Sequence, residues 1–212
     1  MKKTIAIFAC LIMAACANGE YAPYKYYLQG KGLDADINPH QFQHCYGYGC
    51  DKVVTASLSE QDWRDIEIAF LPKPKDYKQE QDAIKRAIGL FEQKVGAQTG
   101  TDADKWGTFR KAGQKQHDCV DESTNTTIYL AALEQRGLLQ FHNIETPQSR
   151  LPLIHAGRWP HQSAVISEKR SRAPYAVDSW FHDNGHPAEI VPLKQWKEGW
   201  KPKREDASSQ NL

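Results

Sequence analysis

Cys119 stands in QKQHDCVDESTNTTIYL (residues 114–130), where three acids, Asp118, Asp121 and Glu122, lie within three residues of the thiol. Carboxylates beside a thiol raise its pKa and make it a poorer nucleophile. The stretch continues into helix-like sequence. A cysteine in the first turn of a helix gains from the helix dipole, by up to about 1 kcal/mol at a surface site. The acids oppose that gain, so a reactive Cys119 needs a cation or base. Locally only His117 and Lys115 are on offer. A better base lies downstream. His161 opens HQSAVISE, Asp178 follows 17 residues later in YAVDSWF, and KRSRAP between them reads as a turn. In a hairpin turning near Ser171, His161 and Asp178 are opposed, directly or diagonally, on one face; a one-residue slip separates them. In the first register Asp178 accepts a hydrogen bond from His161 and fixes its tautomer. His161 then takes the proton of Cys119 as an ion pair, and the thiol becomes a nucleophile.

The companion groups follow from the same stretch. The N–H of Cys119 at a helix start is a natural oxyanion donor, and Gln114 or Gln116 is a candidate second donor. Asp118, Asp121 and Glu122 are hard oxygen ligands packed in one turn, a candidate calcium site whose cation would cancel their field on the thiol. The same residues also fit helix capping, with Asp118 as N-cap and Asp121 three positions on. His44, Cys45 and Cys50 offer three zinc ligands, but the sequence supplies no convincing fourth. His155 lies two residues before a glycine in a loop, and His182 and His186 flank a DNG turn. Trp180, Trp196 and Trp200 are expected to pack the sheet and the C-terminus, with Trp180 able to wall a substrate cleft.

The elements that must hold these groups are legible in part. SLSEQDWRDIEIAF carries Ser59 three residues before Asp62, a capping-box pattern, and predicts a short helix burying Trp63, Ile66 and Phe70. LPKPK ends it. YKQEQDAIKRAIGLFEQKVG places Ala83, Ile84, Ala87, Ile88, Phe91 and Val95 in one helical stripe, with Gly96 as the stop. A third helix is expected from about Cys119 to Arg136, ended by Gly137. Asp51–Ala56 reads as a short strand. Residues 17–43 read as a tether and irregular chain, the 137–160 stretch with Pro147, Pro152 and Pro160 as a loop, and residues 201–212 as a flexible polar tail.

The chain opens MKKTIAIFACLIMAACANGE: a basic start and an apolar run too short to cross a bilayer comfortably, ending in small residues, which is the pattern of a secretory signal. Met13-Ala14-Ala15-Cys16 resembles a bacterial lipobox, with Cys16 as the lipidated residue. This predicts a lipid-anchored protein of the bacterial cell envelope, at the periplasmic face of the outer membrane, or else a soluble periplasmic protein. Without Lys2 and Lys3 the 27 basic residues become 25, against 26 acidic ones. That balance points away from a nucleic-acid partner. The envelope permits disulfides. Cys45 and Cys50 flank the glycine-rich YGYG, so their pairing is expected, leaving Cys119 free; a bridge from Cys119 to either is the alternative.

DCVDESTNTTIYLAALEQRGLL resembles the helix-start motif of the bacterial transglutaminase-like cysteine peptidases: an Asp-Cys-x-Asp run, then a Tyr-Leu pair and a Gly-Leu stop. HQSAVI and YAVDSW resemble that family's His and Asp strands, in the same chain order, and the likeness spans about residues 57–200. It implies an α+β, papain/transglutaminase-like fold, in which a helix bundle carrying the cysteine packs on an antiparallel sheet carrying His and Asp. It implies Cys119 as nucleophile, His161 as general base and Asp178 as orienting acid. It also implies calcium near the site, no other cofactor, and a protein or peptide substrate in the envelope. The domain would cover residues 44–200, after a signal and lipobox at 1–16. The expected activity is a thiol hydrolase of peptide bonds in an envelope or surface protein. The alternatives are acyl transfer of the transglutaminase type, a cell-wall amidase, or a non-catalytic lipoprotein using the fold for binding. The HCYGYGC segment and the lipobox depart from the family's usual pattern.

Overall fold

A computed structural model describes residues 22–108, 113–151 and 160–203. The signal and lipobox with Cys16, His155, Pro152 and the tail from residue 204 lie outside the described residues. No described helix is long and apolar enough to cross a membrane.

The chain is mixed α+β. Helix α1 spans Pro23–Gly30. Strands β1 (Gln41–Tyr46) and β2 (Lys52–Ser57) form an antiparallel hairpin. Helix α2 (Glu60–Glu67) ends in a 3-10 turn, Ile68–Phe70. Helices α3 (Tyr77–Thr99) and α4 (Cys119–Gln135) follow. A second sheet, in the order β3-β4-β5-β6, is antiparallel throughout: β3 His142–Arg150, β4 His161–Glu168, β5 Pro174–Asp178 and β6 Glu189–Pro192. A short helix, α5 (Leu193–Lys197), closes the described fold.

The capping boxes form as the sequence predicts. Ser59 accepts from the N–H of Asp62, and Asp62 Oδ2 accepts from that of Ser59 at 2.9 Å. Trp63, Ile66 and Phe70 are buried, as is the whole α3 stripe. Phe91 stacks on Tyr129 of α4 with ring centroids 4.7 Å apart, which joins the two long helices.

Helix α4 is buried on almost every side, although Ser123, Thr124, Asn125, Thr126 and Thr127 are polar. Buried polar groups need partners, and these have them. Thr124 donates to the Val120 carbonyl at 2.7 Å and Thr127 to that of Ser123 at 2.7 Å. Asn125 acts as a strand neighbour: it accepts from the N–H of Cys45 at 2.8 Å and donates to the Cys45 carbonyl at 2.9 Å.

Three local expectations are corrected. The 22–43 stretch is not a tether. Pro23 starts α1 at a position where its missing N–H costs nothing, and Tyr24, Leu28, Leu33, Ile37 and Phe42 join the core. α1 is two turns long with no side-chain cap, so packing and not local propensity holds it. β1 begins at Gln41, inside that same stretch. α3 does not stop at Gly96. It runs to Thr99 and ends at Gly100, which takes the left-handed cap at φ 75°. Gly96 is instead a point of close approach: a Cβ there would lie 3.0 Å from Asp102 Cα and 3.1 Å from Asn184 Oδ1. The stretch with Pro147 is not all loop. His142–Arg150 is strand β3, and the register shifts between Glu145 and Gln148. Proline is tolerated because β3 is an edge strand with a bulge at that point.

Candidate active site

Asp118 caps α4. Its Oδ1 accepts the N–H groups of Val120 at 2.9 Å and Asp121 at 3.0 Å, while Asp121 Oδ2 accepts that of Asp118 at 3.1 Å. The capping box places Cys119 as the first helical residue. The hairpin loop between β1 and β2 then closes over the acids. Cys45 and Cys50 are disulfide-bonded and Cys119 is free. Within that small ring Gly47, Tyr48, Gly49 and Cys50 all have positive φ. The loop turns its N–H groups outward: Tyr48 donates to Asp121 Oδ2 at 2.7 Å, Cys50 to Asp121 Oδ1 at 2.6 Å, and Gly49 to Asp118 Oδ1 at 3.1 Å. Both carboxylates are therefore met by backbone dipoles. Burial, then the Asp118 charge, still pushes Asp121 up to about 6.

Glu122 does not converge with Asp118 and Asp121. It turns toward Ser179, whose hydroxyl hydrogen-bonds Oε2, and toward His117 Nδ1, 3.1 Å from Oε1. The two local cations are engaged elsewhere too. Lys115 donates to the Thr99 carbonyl at 2.7 Å and lies over the Tyr46 ring. Gln116 spends both ends of its amide on the preceding loop, accepting from Lys105 N at 2.9 Å and donating to the Ala103 carbonyl at 3.0 Å. Gln114 is exposed. Neither glutamine is placed as an oxyanion donor. The N–H of Cys119 lies beside its own sulfur.

On the other flank is the four-stranded sheet. Ala164 pairs with Val177, so Asp178 is diagonal to His161 on one face, the second of the two arrangements allowed in sequence. His161 Nε2 lies 2.7 Å from Asp178 Oδ2. The same oxygen accepts Trp196 Nε1–H at 2.6 Å. All three residues are buried. His161 Nδ1 is also buried and has no hydrogen-bond partner. With an ionised Asp178, Nε2 carries the proton and Nδ1 is the bare base. The Cys119 sulfur is on this side, approached by the backbone N–H of Gln162, the next residue along β4. Burial pushes the Cys119 thiol up to about 11, with the charges of Asp118 and Asp178 adding and the N–H groups of Gln162 and Cys119 opposing. Cys119 is buried, with 9% of the residue exposed.

Aromatic rings hold the imidazole. Trp180, Phe181 and Trp196 have centroids 4.6, 5.3 and 5.5 Å from that of His161. Arg150, paired with His161 across β3 and β4, donates to the carbonyls of Trp196 at 2.7 Å and Trp200 at 2.9 Å. It thereby pins α5 so that the Trp196 indole reaches Asp178. Sequence reasoning placed Trp196 only as packing and did not single out Arg150. Strand spacing marks which face a residue takes, but not a donor arriving from a separate helix.

A second buried cluster also escaped it. Asp104, His117 and Glu122 bring one ligand atom each within 4.8 Å of one another, the one such group among the described residues. His117 Nε2 meets His44 Nε2 at 3.3 Å, and His44 Nδ1 meets the Tyr129 hydroxyl at 3.1 Å. Burial, with the charges of His117 and Lys115, drives His44 well below the usual histidine range. For His117 burial acts in the same sense but is outweighed by Asp104 and Glu122, which raise it. Glu92 is raised well above the carboxylate range by burial and then by Glu122. His117 was visible in sequence as a cation beside Cys119; its inward direction was not.

No protein-family model, curated protein or solved structure matches the chain.

Proposed function

We propose that the chain is a papain-like thiol hydrolase that cleaves peptide bonds, with Cys119 as nucleophile, His161 as general base and Asp178 as the acid that orients it. The observation that carries this reading is the tautomer of His161: its Nε2 is committed to Asp178 while Nδ1 is buried, bare and on the strand that reaches the Cys119 sulfur.

The steps follow from those positions. Burial holds the Cys119 thiol up at about 11, so it is neutral near pH 7 and needs a base to become a nucleophile. As the substrate carbonyl arrives, His161 Nδ1 takes the Sγ proton and the sulfur bonds to the carbonyl carbon. Charge moves onto the carbonyl oxygen, where the N–H of Cys119 at the positive end of α4 is the available donor. The imidazolium is stabilised by Asp178 and by the face of Trp180. It then protonates the leaving amine, giving an acyl-thioester. Water, deprotonated by the same nitrogen, attacks the thioester carbonyl; the thiolate leaves and regains its proton from His161. The helix-borne cysteine and sheet-borne His and Asp, in that chain order, also support the resemblance to the transglutaminase-like cysteine peptidases. The secretory start and lipobox support an envelope or surface protein as substrate.

The test is labelling of the purified protein by a peptidyl electrophile near neutral pH, mapped by mass spectrometry. Cys119 is expected to be modified, and the His161→Ala variant to react at least about a hundredfold more slowly, the scale of general-base catalysis. Equal rates in wild type and variant would falsify the reading.

A further inference from the structure

We propose that Asp104, His117 and Glu122 form a binding site for one divalent transition-metal ion of the zinc class, built into the loop and first turn that carry Cys119. Its residues are distinct from His161 and Asp178, and it does not rest on the thiol chemistry.

Geometry is the first support. His117 Nδ1 lies 3.1 Å from Glu122 Oε1 and 3.5 Å from Asp104 Oδ2, and all three ligand atoms fall within 4.8 Å of one another. Four ligands placed tetrahedrally about zinc at 2.0–2.1 Å are separated from each other by about 3.3–3.4 Å. The two separations from His117 Nδ1 bracket that distance.

The second support is His117 itself. It is 4% exposed, and its Nδ1 makes a directed hydrogen bond to neither carboxylate. Its other nitrogen is provided for. Nε2 can donate to His44 Nε2, while His44 Nδ1–H is held by the Tyr129 hydroxyl. A metal-binding histidine characteristically has its second nitrogen fixed in this way. The chain His117–His44–Tyr129 leaves Nδ1 as the lone pair available to a metal.

Charge is the third. Asp104 and Glu122 are buried, and among the described residues no lysine or arginine pairs with either. Glu92 lies close by: the Ser179 hydroxyl that bonds Glu122 also reaches it, and its Oε1 is buried without a hydrogen-bond partner. A divalent ion balances the two carboxylates and leaves His117 neutral. One nitrogen and two carboxylate donors suit zinc, whereas calcium takes six to eight oxygens. The bound ion would tie the Asp104 loop to the first turn of α4, on both sides of Asp118 and Cys119.

The test uses the full chain freed of metal with a chelator and titrated with zinc and with cobalt(II). One equivalent of zinc is expected to bind below micromolar concentration and raise the melting temperature. The cobalt form should show the visible bands of a four-coordinate ion without a thiolate charge-transfer band, and Cys119→Ala should leave both results unchanged. Asp104→Asn and Glu122→Gln, which keep shape, should each weaken zinc more than about a hundredfold, and the outer-sphere variant His44→Gln about ten- to a hundredfold. Circular dichroism of each variant separates lost ligation from lost folding. No uptake of zinc or cobalt by the wild type would overturn the proposal and leave a protonated His117 bridging the two acids. Zinc binding unchanged in folded Glu122→Gln, or a preference for calcium, would overturn it equally.

Discussion

Two histidine–carboxylate clusters flank the start of α4, and they differ in a way that assigns them different work. Around His161 there is one histidine, one acid and a wall of aromatic rings, carried on the sheet, the loop that leaves β5 and α5. One ring nitrogen is spent on Asp178 and the other is bare, on the strand whose Gln162 N–H reaches the Cys119 sulfur. Around His117 acid exceeds base: Asp104, Glu122 and Glu92 surround one imidazole whose far nitrogen is met by a second histidine. A single orienting acid leaves a histidine free to move a proton. Several acids around it hold the proton, or a metal in its place. On the proposed readings, the same residue types give a base in one cluster and a cation site in the other, set by the ratio of acid to base.

The comparison breaks most readily at His161. His161→Ala should lower peptidyl-electrophile labelling about a hundredfold or more. Alkylation of Cys119 by iodoacetamide near neutral pH should also be slower in that variant, because the base that takes the thiol proton is lost. Equal alkylation rates in the two proteins would show that the two clusters do not differ in function. Asp178→Asn should leave Cys119 alkylatable while slowing turnover, because the ring loses its orientation.

Trp196→Phe sharpens the same side. It removes the indole donor to Asp178 and keeps most of the packing, so it should cost about 1.5–3 kcal/mol in urea unfolding, the range for a hydrogen bond to a charged group. A smaller loss, with labelling untouched, would mean that the indole does not hold the carboxylate. Opening the disulfide acts between the clusters. The paired Cys45→Ala, Cys50→Ala change frees a small loop and should cost about 2 kcal/mol. It should also raise hydrogen exchange at Tyr48, Gly49 and Cys50, whose N–H groups bind Asp118 and Asp121.

The smallest effect is expected at Glu92. Burial, then the Glu122 charge, raises its carboxyl well above the ordinary range, so the associated stability is full below the ordinary carboxylate range and declines as pH rises toward the raised folded value. In chelator-treated protein, Glu92→Gln should therefore change stability by only about 1 kcal/mol in mild acid. It should flatten the decline of the urea midpoint from mildly acidic to alkaline pH. An equally steep decline in the variant would place the titrating group elsewhere.

The features that sequence alone determined depend on neighbours a few residues apart. The Ser59 and Asp118 caps, the α3 stripe, the start of α4, a hairpin running from His161 to Asp178, and the favoured Cys45–Cys50 ring all rest on a local spacing or a single turn, while the hairpin's register and the disulfide partner stayed open. Each can be read because backbone geometry repeats at 3.6 or 2 residues. Tertiary structure decided what those spacings leave open. α1 and β3 exist because the core covers Tyr24 and Leu28 and because an edge bulge admits Pro147. The acids around Cys119 looked alike in sequence. Asp118 and Asp121 are met by loop N–H groups about 70 residues upstream, at separations of 69 to 73, while Glu122 turns inward to Ser179, 57 residues downstream. Periodicity says which way a side chain leaves its own element. Only the packing of other elements decides which donors, acceptors and rings it meets, and those partners differ between His161 and His117.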